Sequence, residues 1–184
     1  MRKVVLFNMV TLDGYIAGPN GDIDWHNTDE EFNDFAIEQL KEVGCIIFGR
    51  VTYELMADYW PTDSARESDP QVAQAMNTLP KIVCSRKLED VNWDNTKLLR
   101  DNIANQIADM KQEPGKDMFV FGSADLAATL IQHNLIDEFR LMLAPVILGR
   151  GIPMFREMDR QINLTLVNSR PFGNGNVLLY YVPA

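Results

Sequence analysis

Cysteine and histidine are scarce, with two of each in 184 residues. Cys45 and Cys84 sit inside the apolar runs CIIFG and KIVCS. That placement reads as two small buried hydrophobes in a reducing compartment and excludes a disulfide framework. His26 and His133 lie far apart, and with two strand cysteines they give no zinc-ligand spacing. No metal is expected. Long apolar runs are also missing: none approaches the roughly 18 residues of a membrane-spanning helix. The N-terminal MRKVVLFNMVTLDGYIAG is charged and then apolar, but Asn8, Thr11 and Asp13 interrupt a run too short for a signal core. A cytoplasmic protein is expected. There is no P-loop, no G-x-G-x-x-G and no G-x-S-x-G nucleophile elbow. Excess positive charge is lacking as well. Lys and Arg number 17 against 26 Asp and Glu, a net charge of -9. That disfavours a nucleic-acid or anionic-membrane role, and a phosphorylated ligand would need a local cationic pocket.

What is present is ordinary globular composition, 46% hydrophobic and 23% charged, without repeats or internal linkers. A single domain over residues 1–184 is expected. Val4 to Val10 reads as a strand. TLDGYIAGPNGDIDW then reads as a long loop, and loops of that length are usually functional. Thr28 to Glu31 has the form of a capping box, opening a helix whose Phe32, Phe35, Ala36, Leu40 and Val43 share one face until Gly44. CIIFG is a buried strand and Arg50 to Asp58 a short helix. Residues 62–70 read as a polar loop. KIVCS and MFVFG are further buried strands. Ile103, Ile107 and Met110 mark a helix that Asp101 is placed to cap, and Leu126 to Ile131 mark another. His133, near that helix's end, reads as a capping or surface residue. Glu138 to Leu148 is a strand bent or ended at Pro145, and a Gly173-Asn174-Gly175 turn closes an antiparallel hairpin. Short apolar strands alternating with helices imply a mostly parallel sheet covered on both faces.

Ligands of such sheets bind beyond the carboxyl ends of the strands. Those ends are Gly49-Arg50-Val51-Thr52, Ser85-Arg86-Lys87 and Gly122-Ser123-Ala124. Helix N-termini offer free N–H groups to an anion, and Arg50, Arg86 and Lys87 add positive charge. Each end alone is compatible with a plain turn or a solvated loop, so the combination carries the reading. Asp125, in the first turn of its helix, would repel a phosphate placed close by.

The segments VVLFNMVTLDGYIAG, IIFGRVTYELM, KIVCSRKL and DMFVFGSADLAATLIQHNLIDEFRLMLAPVILGRGIPMF, followed by the hairpin, resemble the dihydrofolate-reductase-like superfamily. Within it they are most similar to the C-terminal reductase domain of the RibD riboflavin proteins and its stand-alone relatives. The resemblance implies an α/β, three-layer fold with a mostly parallel central sheet and an antiparallel C-terminal hairpin. It implies NADPH as cofactor and residue roles to match. Gly49, Arg50 and Thr52 would hold the cofactor's phosphates, and Ser85 and Arg86 would receive the 2′-phosphate. Gly122, Ser123, Ala124, Asp125 and Leu126 would underlie the pyrophosphate and nicotinamide, with Ala17 and Gly18 in the covering loop. Two departures stand out: Gly122-Ser123 replaces the family's Gly-Gly, often a cis peptide there, and Tyr15 replaces a lysine.

The implied reaction is hydride transfer to a pyrimidine-like heterocycle, as in 5-amino-6-(5-phosphoribosylamino)uracil reductases. Trp25 and Arg150 are candidate substrate contacts, Arg150 for a substrate phosphate. Asp13 and Glu30 are candidate catalytic groups. Glu30 follows Trp25 at the spacing of the buried carboxylate of dihydrofolate reductase, though it also reads as a plain first-turn helix acid. A folate or pteridine reductase, and a non-catalytic nucleotide- or flavin-binding protein, are the alternative readings. The partner is a small-molecule substrate, with a homodimer expected from the hairpin and the strand before it.

Overall fold

The computed structural model describes residues 1–184. The first apolar run forms β1 (Val4–Thr11), followed by the short β2 (Tyr15–Ala17). Then come α1 (Glu30–Glu42), β3 (Val43–Gly49), α2 (Arg50–Tyr59), α3 (Asp63–Ser68) and α4 (Pro70–Thr78). The middle of the chain forms β4 (Lys81–Cys84), β5 (Thr96–Leu99), α5 (Ile103–Gln112), β6 (Asp117–Phe121) and α6 (Ala124–Gln132). It ends with β7 (Glu138–Ala144), β8 (Ile152–Pro153), β9 (Leu164–Pro171) and β10 (Val177–Pro183).

Eight strands form one sheet in the order β5-β4-β3-β6-β1-β7-β10-β9. The strands from β5 to β7 run parallel, and the C-terminal hairpin adds the antiparallel β10 and β9. Strand alternation sorts the core into two layers. Leu6, Ile47 and Val120 face Ile107 of α5 and Leu130 of α6. Val5, Ile46, Phe48 and Phe119 face Leu40, Tyr53 and Met76 of α1, α2 and α4. Phe48 is fully buried, so Phe48→Ala would cost about 3–5 kcal/mol. The expected three-layer α/β fold is therefore present.

Several local expectations are corrected. Asp29, not Thr28, caps α1, its carboxylate accepting the Phe32 N–H at 2.9 Å. Glu31 does not close a capping box; it accepts the Gly173 N–H and pairs with Arg170. The helix stops at Glu42, and Gly44 lies inside β3 at a register shift, where a Cβ would meet the Lys116 carbonyl at 2.6 Å. The polar stretch 62–70 is mostly helix: Thr62 caps α3, Ala65 is buried, and Pro70 opens α4. Asp101 does not cap α5; its N-cap is Asn102, in the left-handed region at φ 49. β5 is a strand the sequence pattern does not mark. His133 is the C-cap of α6. No helix is long and apolar enough to cross a membrane.

Candidate active site

Because β1, β3, β4, β6 and β7 are parallel, their carboxyl ends deliver five loops to one edge. Two of those loops are locked together. Ser123 Oγ accepts the Gly49 N–H at 2.7 Å and lies 2.9 Å from Thr52 Oγ1. This joins the β3–α2 turn to the β6–α6 turn. The approach is close: a Cβ on Gly49 would sit 2.7 Å from Ser123 Oγ, and one on Gly122 would sit 2.7 Å from Thr52 Oγ1. Gly122 and Ser123 are both left-handed, at φ 67 and 62, and no peptide bond in the chain is cis. Neither α2 nor α6 has a side-chain cap, so both N-termini keep free N–H groups beside each other.

The arginines at these turns are each paired with a carboxylate. Arg50 pairs with Glu54 one turn along α2 at 2.7 Å. Asp125 is itself paired, with Arg156 Nε at 2.7 Å. The repulsion expected of Asp125 is thus offset by a guanidinium that sequence reasoning did not place. Only the opposite charges of Asp125 and Arg156 hinted at it, across thirty residues. Ser85 is buried, and its hydroxyl accepts the Lys87 and Leu88 N–H groups, which holds the turn after β4. Arg86 stands out from that turn, 79% exposed, and is 4.0 Å from Asp101.

The segment after β1, read from the sequence as loop throughout, contains the strand β2. β2 pairs with β8, placing Tyr15 opposite Pro153 and Ala17 opposite Ile152. Gly18 donates to the Asp22 carbonyl at 2.8 Å, and a Cβ there would collide with the Asp22 carboxylate. Asp13 is not a free proton-transfer group. Its carboxylate accepts the Thr11 hydroxyl at 2.7 Å, the Leu148 N–H at 3.2 Å and the Gly149 N–H at 2.7 Å. These donors, Thr11 first, hold it below the usual carboxylate range. Arg150 is exposed beyond that contact.

Glu30 is exposed at the first position of α1. It is not the buried carboxylate that a folate-type reading needs, so that reading loses its support. Trp25 packs against the cluster of Met9, Phe35, Met142, Phe172 and Leu178. His26, edge-on to Trp25 at 4.5 Å, was not singled out as a site residue by the sequence pattern. Burial pulls its imidazole down to about 4. Both cysteines are buried and free, their thiols pushed up by burial to about 11 and about 12. A pocket of about 750 Å3 lies between α2 and the loop after β4. Its Glu54, Asp58, Asp90 and Asp94 make it a poor home for phosphates.

The family model of the RibD C-terminal domain matches residues 2–178. The uncharacterized protein YyaP of Bacillus subtilis (strain 168) is 36% identical over 183 residues, 98% of this chain and 94% of that one. A Shewanella sp. PV-4 protein assigned by name to riboflavin biosynthesis has a similar structure. Its TM-score is 0.75 at 22% identity, over 99% of both chains. The Thermotoga maritima diaminohydroxyphosphoribosylaminopyrimidine deaminase/5-amino-6-(5-phosphoribosylamino)uracil reductase matches at TM-score 0.72 and 16% identity. That match covers 100% of this chain and 57% of the other. Enterococcus faecalis dihydrofolate reductase, complexed with NADP(H), matches at TM-score 0.68 and 16% identity, over 98% of this chain and 96% of that one.

Proposed function

Because the chain belongs to the RibD C-terminal domain family, we propose that it is an NADPH-dependent reductase acting on a pyrimidine-like heterocycle. The observation that carries this reading is the cradle built by Ser123. It sets two uncapped helix N-termini side by side, with Arg50, Arg86 and Arg156 around them in an otherwise acidic chain. That donor set fits a dinucleotide with an extra phosphate. The N–H groups at the starts of α2 and α6, with Thr52, take the pyrophosphate. Arg86, exposed beside Ser85 and 4.0 Å from Asp101, takes the 2′-phosphate, and Arg50 supports it. Ala17 and Gly18 cover the nicotinamide. The bound cofactor supplies the hydride. Trp25 walls the substrate cleft and helps exclude water. Arg150 reaches a substrate phosphate. Cofactor binding checks the assignment. Arg50→Ala and Arg86→Ala are each expected to weaken NADPH roughly tenfold or more and NADH much less. Equal wild-type affinity for the two cofactors sinks it.

The same reading includes a cytoplasmic homodimer. β9 is the outer strand of the sheet, exposed along nearly its whole length, with Leu166 and Val167 half exposed. A bare edge of this kind pairs readily with its own copy across a two-fold axis. Light scattering at micromolar concentration is expected to give twice 20.9 kDa. The mass of one chain removes this part of the reading.

A further inference from the structure

We propose that Asp13 is a positioning residue that fuses the loop after β1 and the loop after β7 into one lid. The two loops are tied at three levels. At the base, Leu12 N–H donates to the Val146 carbonyl at 2.9 Å. In the middle, the Asp13 carboxylate takes the Leu148 N–H at 3.2 Å and the Gly149 N–H at 2.7 Å. At the far end, Met154 N–H donates to the Gly14 carbonyl at 2.8 Å, and Ala17 pairs with Ile152. Residues 146–154 are therefore held against residues 12–17 along their whole length.

Asp13 is itself aimed from the core. Thr11 is fully buried; its hydroxyl donates to Asp13 and accepts the Tyr15 N–H at 2.9 Å. One carboxylate thus meets three donors in two chain segments. An asparagine offers a single acceptor oxygen and would turn its NH2 toward one of those donors. A glutamate is one methylene too long. The contact across the far end is equally narrow, since a Cβ on Gly151 would sit 2.3 Å from the Ala17 carbonyl oxygen.

The consequence concerns the reductase reading and rests on it. Ala17 and Gly18, assigned to the cofactor, and Arg150, assigned to the substrate, lie within two residues of directly paired backbone. Closure over one ligand therefore carries the contact for the other with it. Asp13 acts through the lid and touches neither ligand.

Amide hydrogen exchange on the ligand-free chain tests the coupling without any assumption about activity. In Asp13→Asn, residues 12–17 and 146–154 are expected to exchange about tenfold faster together, with β1 and β3 unchanged. Asp24→Asn, an exposed change in the same loop, is expected to leave both segments as they are. Gly151→Ala is the second variant and is expected to loosen residues 12–17 although it lies in the other loop. Acceleration confined to residues 148–149, or none, overturns the proposal. If Asp13→Asn also accelerates the core strands, Gly151→Ala decides alone, and protected residues 12–17 in it overturn the proposal. With NADPH and substrate, Asp13→Asn is expected to lower kcat while the NADPH Kd changes by less than about threefold. A wild type that binds no NADPH defeats the reductase reading and leaves the exchange result standing.

Discussion

Ser123 offers a quantitative test of the cradle, because its side chain and its backbone act in opposite directions. Its hydroxyl accepts the Gly49 N–H at 2.7 Å and bonds Thr52 Oγ1 at 2.9 Å. Each such bond contributes about 0.5–1.5 kcal/mol net, so Ser123→Ala should cost about 1–3 kcal/mol. Its backbone sits at φ 62, which costs a non-glycine residue about 1–2 kcal/mol that alanine does not relieve. Ser123→Gly loses the same bonds but relieves that strain, less about 0.4–1 kcal/mol for the freer unfolded chain. Glycine should therefore be the milder substitution by roughly 0.5–1 kcal/mol. For a chain of this size, 1 kcal/mol shifts Tm by about 2–4 °C. Thermal or urea unfolding of both variants reads the order directly. A Thr52→Val background should make Ser123→Ala less costly, since the shared bond is already gone. Ser123→Gly as damaging as Ser123→Ala, or full additivity with Thr52→Val, refutes the reasoning.

One further outcome follows from a pair of groups and a second from a buried imidazole. Arg156→Ala should weaken NADPH by about tenfold, because it leaves Asp125 unpaired at the start of α6. Asp125→Asn added to it should restore part of the loss, and titration calorimetry on the four proteins closes the cycle; no recovery in the double variant contradicts the pairing argument. His26 carries an acid sensitivity. Its folded pKa is about 4 against an ordinary 6.5. Below 6.5 the unfolded chain takes up a proton that the folded chain refuses until about 4. Stability should thus fall as pH drops through that window, by on the order of 2–3 kcal/mol. Urea midpoints for the wild type and His26→Phe at pH 7 and pH 5 should differ more in the wild type; parallel losses contradict the assignment.

The buried runs were legible because their character is local. KIVCS and MFVFG are continuous apolar stretches, and they are strands in the middle of the parallel sheet. β5 was not, since only Leu99 of Thr96–Leu99 is buried. α3 was missed for a related reason: it is polar apart from the buried Ala65, and its Thr62 cap looks like any loop threonine. Asp29 won over Thr28 as cap because Glu31, the partner a capping box needs, is drawn off to Arg170 and Gly173 in the distant hairpin. At the site, the strand ends and their arginines could be read from spacing. The role of Asp13 could not, because its partners Leu148 and Gly149 lie more than a hundred residues away. The same holds for Ser123 on Gly49 and for Arg156 on Asp125: spacing names Ser123 and Asp125 but not Arg156, and only the folded chain decides which carboxylate a guanidinium meets.

The most direct test of the central claim is loss of the reduced-nicotinamide absorbance when the wild-type protein is mixed with NADPH and a phosphoribosylamino-uracil substrate, followed beside NADH and beside dihydrofolate. The account predicts substrate-dependent oxidation of NADPH, much slower oxidation of NADH, and none with dihydrofolate in place of the pyrimidine. Tight NADPH binding without oxidation by any pyrimidine substrate, or oxidation driven by dihydrofolate, would contradict it.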